Sequence, residues 1–133
     1  MKRKILIVED NVGLSQIQKD WFEQAGYDAI TAMNEPVARA LIRKNKFDLI
    51  LSDVRLPEGD GISLLEWLRK EKRDIPFIIT TEYVSVPDVV RTIKMGARDY
   101  LPKPVRREHL LELAEEVFHP VATVKKQEKN LFH

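Results

Sequence analysis

The sequence predicts an α/β fold, a five-stranded parallel sheet doubly wound with helices on both faces. Short β-branched runs such as Ile5-Leu6-Ile7-Val8 alternate with segments whose apolar residues recur every three or four positions. That alternation marks βαβ units. The strand-like runs are apolar at every position rather than every second one, as in strands buried on both faces. Five such units in 133 residues fit an open sheet and fall short of the ~250 residues of an eight-unit barrel.

In chain order, Ile5 to Val8 forms the first strand, and Leu14, Ile17, Trp21 and Phe22 mark a helix that Gly26 ends. Tyr27 to Ala32 is the second strand, where Ile30 and Thr31 favour extended backbone. Asn34 caps a second helix with Pro36 in its first turn and Val37, Ala38, Leu41 and Ile42 on its apolar stripe. Leu49-Ile50-Leu51 is the third strand, followed by a helix carrying Ile62, Leu64, Leu65, Trp67 and Leu68. Phe77-Ile78-Ile79 is the fourth. Ser85 to Asp88 has the form of a capping box with Pro87 in the first turn, opening a helix with Val89, Val90, Ile93 and Met95. Tyr100-Leu101 is the shortest strand, and Leu110, Leu111, Leu113, Ala114, Val117 and Phe118 mark the last helix. Crossovers are expected to be right-handed, with the flavodoxin-like strand order 2-1-3-4-5.

Composition narrows the function. Twenty-two basic against 21 acidic residues give a net charge of +1, which argues against a dedicated nucleic-acid binder. Cysteine is absent, which excludes a disulfide framework, a thiolate zinc site and a cysteine nucleophile. No apolar run approaches the ~20 residues of a membrane span, and Ile5 to Val8 after the basic Met1-Lys2-Arg3-Lys4 is too short for a signal peptide. A cytoplasmic domain without membrane contact is expected. Residues 1–119 form that domain. Residues 120–133, which carry Lys125, Lys126 and Lys129 against Glu128, read as a linker or the start of a connection to a further domain. There Val117, Val121, Val124 and Leu131 could continue one apolar stripe, with Pro120 opposing an unbroken helix.

Ligands of such sheets bind beyond the carboxyl ends of the strands. Those ends carry Glu9 and Asp10, Asp53, Thr80 and Thr81, and Lys103 between Pro102 and Pro104. Three carboxylates with no nearby His or Cys point to a hard cation such as Mg²⁺. A carboxylate beside it can act as a nucleophile and form an aspartyl-phosphate, with Lys103 as a point charge on phosphoryl oxygens and a Thr hydroxyl as donor. Taken singly, each residue has a plainer reading: Asp10 as a helix cap, Asp53 as a turn cap near Gly59 and Gly61, Thr81 as a strand end, Lys103 as a solvated loop lysine. Their conjunction at one sheet edge favours phosphoryl transfer. His109, His119 and His133 are scattered and read as surface residues, and Trp21, Phe22, Trp67 and Phe118 as packing.

Ile5 to Asp10, Asp53-Val54-Arg55-Leu56-Pro57 through Gly61, the Thr after the fourth strand and Tyr100-Leu101-Pro102-Lys103-Pro104 together resemble the receiver domain of bacterial two-component response regulators, from about Lys2 to Phe118. The resemblance implies that Glu9 and Asp10 hold Mg²⁺, that Asp53 is the phosphoacceptor and that the backbone carbonyl of Arg55 completes the metal site. It also implies that Lys103 contacts the phosphoryl group, that the Lys103–Pro104 bond is cis and that Tyr100 changes rotamer on activation. Family spacing from Pro76 and from Gly96 places the switch hydroxyl at Thr81. Glu82 then stands where the family prefers a small residue, as a modulator of access to the phosphoryl group.

The implied partners are a sensor histidine kinase, a second copy docking through the fourth helix, fifth strand and fifth helix, and an output domain. The loops resemble the nitrogen-regulatory (NtrC-like) type, whose output is an AAA+ ATPase with a helix-turn-helix DNA-binding domain. The domain would then catalyse only its own phosphorylation and dephosphorylation, in transcription control, without itself binding nucleic acid. The alternative is a pseudo-receiver scaffold that is not phosphorylated, for which only Glu82 argues. A small-molecule phosphatase would need an acid where Arg55 stands, and a flavodoxin would need a hydroxyl-rich loop where Glu9-Asp10-Asn11-Val12-Gly13 is acidic.

Overall fold

Five β-strands alternate with five α-helices: β1 (Lys4–Val8), α1 (Val12–Gln24), β2 (Asp28–Ala32), α2 (Glu35–Lys44), β3 (Leu49–Asp53), α3 (Gly61–Lys70), β4 (Phe77–Thr81), α4 (Val86–Lys94), β5 (Asp99–Pro102) and α5 (Arg107–Phe118). The structure is a computed structural model that describes residues 1–120; the stripe through Val121, Val124 and Leu131 and the linker expected over residues 120–133 lie, Pro120 aside, outside them. All strands are parallel in the order β2-β1-β3-β4-β5, as expected. Among the described residues no helix is long and apolar enough to cross a membrane.

The sheet's pleat divides the core in two. Leu6, Val8, Ile50, Phe77 and Ile79 face α2 and α3, where Ala38, Ile42, Leu65 and Leu68 close over them. Ile5, Ile7, Leu49, Leu51 and Ile78 face Phe22 of α1 and Leu110 and Ala114 of α5. Ile5, Leu6 and Ile7 are completely buried, and each such side chain contributes about 1.5–3 kcal/mol. The continuous apolar runs are therefore strands sealed on both faces.

Four helices open on side-chain caps that satisfy first-turn amides. Asn11, Asn34, Asp60 and Ser85 accept from Leu14, Val37, Ser63 and Asp88 at 3.0, 2.9, 2.6 and 3.4 Å. Asn11, not Asp10, caps α1, so Asp10 is free of that duty. Gly26, at φ +97°, ends α1 in a left-handed conformation that favours glycine.

Two helices depart from their expected faces. In α1 the buried residues are Ser15, Gln18 and Phe22, whereas Ile17 is 48% exposed. Of the expected stripe, Phe22 is buried and Trp21 packs in part against the core, whereas Leu14 and Ile17 turn toward an outer groove. In α4 only Thr92 is buried, and Val86, Val90 and Ile93 face outward.

Candidate functional site

The C-terminal edge of the sheet collects the chemistry because each strand stops there. Glu9 directly follows β1, Asp53 ends β3, Thr81 ends β4 and Lys103 directly follows β5. The register pairs Val8 with Ser52, Asp53 with Thr80 and Thr81 with Pro102, so residues far apart in sequence share one edge. The Lys103–Pro104 peptide bond is cis.

Lys103 is the centre of the cluster. Its ammonium donates to Glu9 Oε1 at 2.5 Å and to Asp53 Oδ2 at 2.8 Å. The other Glu9 oxygen accepts the Asn11 amide at 3.1 Å. Glu9 and Asp53 are buried and Asp10 is exposed, yet one oxygen of each lies within 4.8 Å of the others. Burial pushes the Glu9 carboxyl above its ordinary value, against the pull of Lys103 and the Asn11 amide. Burial also works to lower Lys103, but its hydrogen bonds to Asp53 and Glu9 outweigh that and hold the ammonium above its ordinary value.

Three carboxylates against one ammonium leave a formal charge of −2, and every donor is a hard oxygen. Such a set suits a divalent hard cation. Glu9, Asp10 and Asp53 are the residues positioned to hold one.

A cleft of about 170 Å³ opens over the cluster, lined by Asp10, Asp53, Arg55, Thr81, Glu82 and Tyr83. Thr81, and not Thr80, lines it. The Thr81 hydroxyl is engaged locally, donating to the Tyr83 carbonyl and accepting the Tyr83 amide, both at 3.1 Å. Glu82 is exposed on the rim. The Arg55 guanidinium lies 4.6 Å from the centre of the Tyr83 ring, so the loops after β3 and β4 meet across the cleft. Tyr100 is half-buried, and its hydroxyl lies inside the fold without a hydrogen-bond partner among the described residues.

Two features escape the sequence reading. Tyr83 both bonds Thr81 and stacks on Arg55; its signal was an aromatic residue two positions past Thr81 in the short loop before α4. The second is the outer stripe of α1. Leu14, Ile17 and Trp21 join Pro104 and Val105 in a groove of about 530 Å³ that reaches Lys103 and Glu82.

The profile of the family described as "Response regulator receiver domain" matches residues 5–115. The chain is 30% identical over 131 residues to the transcriptional regulatory protein RprY of Bacteroides fragilis, covering 98% of this chain and 56% of that protein. It is 38% identical over 114 residues to the transcriptional regulatory protein ZraR of Salmonella typhimurium, covering 86% of this chain and 26% of that one. The chain thus spans about half of the first relative and a quarter of the second. Among solved structures it is similar to the non-phosphorylated HemR receiver domain of Leptospira biflexa, with 36% identity, a TM-score of 0.82 and coverage of 89% of this chain and 95% of that one.

Proposed function

From the premise that the chain belongs to the response regulator receiver domain family, the phosphorylation-controlled switches of two-component signalling, we propose that Asp53 is the phosphoacceptor. A sensor histidine kinase is the donor. The observation that carries this is the pairing of a buried Asp53 with Lys103 beside two further carboxylates at one sheet edge.

In the proposed transfer an Asp53 carboxylate oxygen attacks phosphorus, the bond from phosphorus to the donor nitrogen breaks, and an acyl phosphate forms. Lys103 already touches Asp53 and is placed to turn its ammonium to the new phosphoryl oxygens, an electrostatic role that needs no proton transfer. Glu9, Asp10, Asp53 and the Arg55 carbonyl would hold Mg²⁺, which when bound supplies charge neutralisation at the phosphoryl oxygens. The Thr81 hydroxyl leaves its turn with Tyr83 to donate to a phosphoryl oxygen, and Tyr100 changes rotamer in response. Hydrolysis of the acyl phosphate resets the switch, so the domain catalyses only its own modification. The groove between α1 and Pro104-Val105 leads apolar surface directly to Lys103.

The whole protein is a cytoplasmic regulator of transcription of the nitrogen-regulatory type, in which an AAA+ ATPase and a DNA-binding domain follow residues 120–133. Val86, Val90 and Ile93, exposed on α4, are the apolar part of a dimer face formed with β5 and α5; sedimentation across concentrations with a phosphoryl mimic tests it, and a strict monomer throughout refutes it. The decisive experiment for the site is phosphorylation by acetyl phosphate with Mg²⁺. Wild type is expected to gain one phosphoryl group, and Asp53→Asn to gain none while keeping its fold. Undiminished labelling of Asp53→Asn removes the assignment.

A further inference from the structure

Glu35 is the first residue of α2 and is only 4% exposed. An acidic residue in a first helical turn ordinarily serves the helix dipole from solvent. This one is turned inward, onto the loop that joins Asp53 to α3. Its Oε1 accepts the Asp60 amide at 3.0 Å, and its Oε2 accepts the Ser63 hydroxyl at 3.2 Å. Its own backbone amide donates to the Glu58 carbonyl at 3.1 Å. Gly59 between them has φ +74°, and a Cβ there would collide with the Glu35 side chain. The carboxylate is held in place by Arg39, whose Nε donates to Oε2 at 2.8 Å and whose guanidinium lies 5.0 Å from the centre of the Trp67 ring.

Residues 54–60 form a short closed loop. The Gly61 amide returns to the Val54 carbonyl at 2.8 Å, and Arg55 bridges to Asp60. Among the described residues, the hydrogen bonds that residues 55–60 receive from outside their own loop and α3 come from Glu35 alone. This loop leaves directly from Asp53, the last residue of β3, and its second residue is Arg55.

We propose that Glu35 is a positioning residue that clamps the loop between β3 and α3, and so fixes the Arg55 carbonyl relative to the carboxylates of Glu9, Asp10 and Asp53. This rests on the reading of Asp53 and its neighbours as a Mg²⁺-dependent phosphoacceptor site. Residues that orient a metal site from behind typically carry 10–100-fold in metal affinity or activity. Loss of the clamp is expected at the low end, because it acts on one backbone ligand while three carboxylates remain.

The test compares wild type with Glu35→Ala, Glu35→Asp and Glu35→Gln. Alanine removes the carboxylate. Aspartate keeps the charge and a good first-turn residue but draws the oxygens back by one methylene, out of reach of the Asp60 amide. Glutamine keeps an oxygen for that amide. In the metal-free protein, hydrogen exchange at the Asp60 and Gly61 amides is expected to quicken at least tenfold in the alanine and aspartate variants, with Leu6 and Ile50 in the core unchanged. Mg²⁺ affinity, followed by amide shifts, is expected to weaken about tenfold in both and to stay within about threefold of wild type in glutamine. The aspartate variant carries the test if alanine does not fold. Exchange and Mg²⁺ affinity both unchanged in the aspartate variant overturn the proposal, as does faster exchange spread evenly over the core, which marks a purely structural role. A wild type that takes no phosphoryl group refutes the function instead, and metal-free exchange still decides the clamp.

Discussion

Replacing Lys103 by methionine keeps most of the side-chain volume and removes the one cation between Glu9 and Asp53. The three side chains are nearly sealed, with relative exposures of 9%, 3% and 10% for Lys103, Glu9 and Asp53. Breaking a buried pair by deleting one partner commonly costs about 3–5 kcal/mol. Here a ceiling applies, because a stranded carboxylate can take up a proton. At pH 7, protonating a carboxyl of ordinary pKa 4.5 costs about 3.4 kcal/mol at 1.36 kcal/mol per pH unit. Glu9 already sits above that value, which lowers the ceiling further. The expected loss at pH 7 without Mg²⁺ is therefore about 2–3 kcal/mol.

The sign of the pH dependence follows. In the variant the folded pKa of Glu9 rises further, so the native state binds more protons than the unfolded chain between the unfolded value and the folded one. Stability then falls with rising pH across that window, at up to about 1.4 kcal/mol per unit. Urea unfolding of both proteins at pH 5, 6 and 7, with chelator and then with Mg²⁺, reads this out. The gap is expected to shrink toward pH 5 and on adding Mg²⁺. Equal stabilities at pH 7 in chelator, or a gap independent of pH, refute the account of Lys103 as the cation that keeps the carboxylates charged.

Two further substitutions probe the rim. Thr81→Ala removes the hydroxyl that holds Tyr83. It is expected to slow the acetyl phosphate reaction by about two- to tenfold, since a single neutral hydrogen bond is worth about 0.5–1.5 kcal/mol and most phosphoryl contacts remain. It should at least halve the amide shifts that beryllofluoride produces in α4, and full shifts would show that Thr81 does not carry the signal. Glu82→Ala removes an exposed carboxylate from the cleft that holds Asp53. Screened repulsion of about 0.5 kcal/mol predicts phosphorylation by acetyl phosphate about two- to threefold faster, with a smaller change of the same sign in dephosphorylation; unchanged or slower rates refute it.

The strands and their ends were legible because both depend on local sequence. A run such as Ile5-Leu6-Ile7-Val8 has no polar face to offer solvent, and the residues that follow such runs are carried to the sheet edge by the parallel topology. Helix faces were less legible. The expected stripe Leu14, Ile17, Trp21 and Phe22 and the buried set Ser15, Gln18 and Phe22 share only Phe22, because periodicity alone favours the more apolar positions. The sheet buries the second, because the smaller Ser15 and the reach of Phe22 fit close against it. Of the expected α4 stripe, Val89 and Met95 are half-buried while Val90 and Ile93 stay exposed, for a related reason: a helix over the edge strand β5 has less sheet beneath it to cover its apolar face. Glu35 was invisible because a first-turn glutamate has a sufficient local explanation. Only the approach of Gly59 and Asp60 from 24 and 25 residues away gives it another.

The two loops that border the cleft are fastened differently, and the difference says where a signal can go. The loop after β3 is closed on itself at Val54 and Gly61 and held from behind by Glu35. The loop after β4 has the local turn of Thr81 with Tyr83 and the stacking of Tyr83 on Arg55. Beyond it, α4 is anchored mainly at its C-terminal end, where Arg69 donates to the carbonyls of Met95 at 2.8 Å and Gly96 at 3.3 Å. Its N-terminal end presents Val84 and Val86, 56% and 72% exposed, and has no fully buried residue before Thr92. Elements with so little buried surface open at low free-energy cost. On the proposed chemistry a phosphoryl group on Asp53 competes with Tyr83 for the Thr81 hydroxyl. Losing that bond releases the weakly held end of α4 while Arg69 keeps the other end in place. The expected response is a pivot of α4 about Met95 and Gly96 rather than a shift of α3, a change in population between two arrangements of one element.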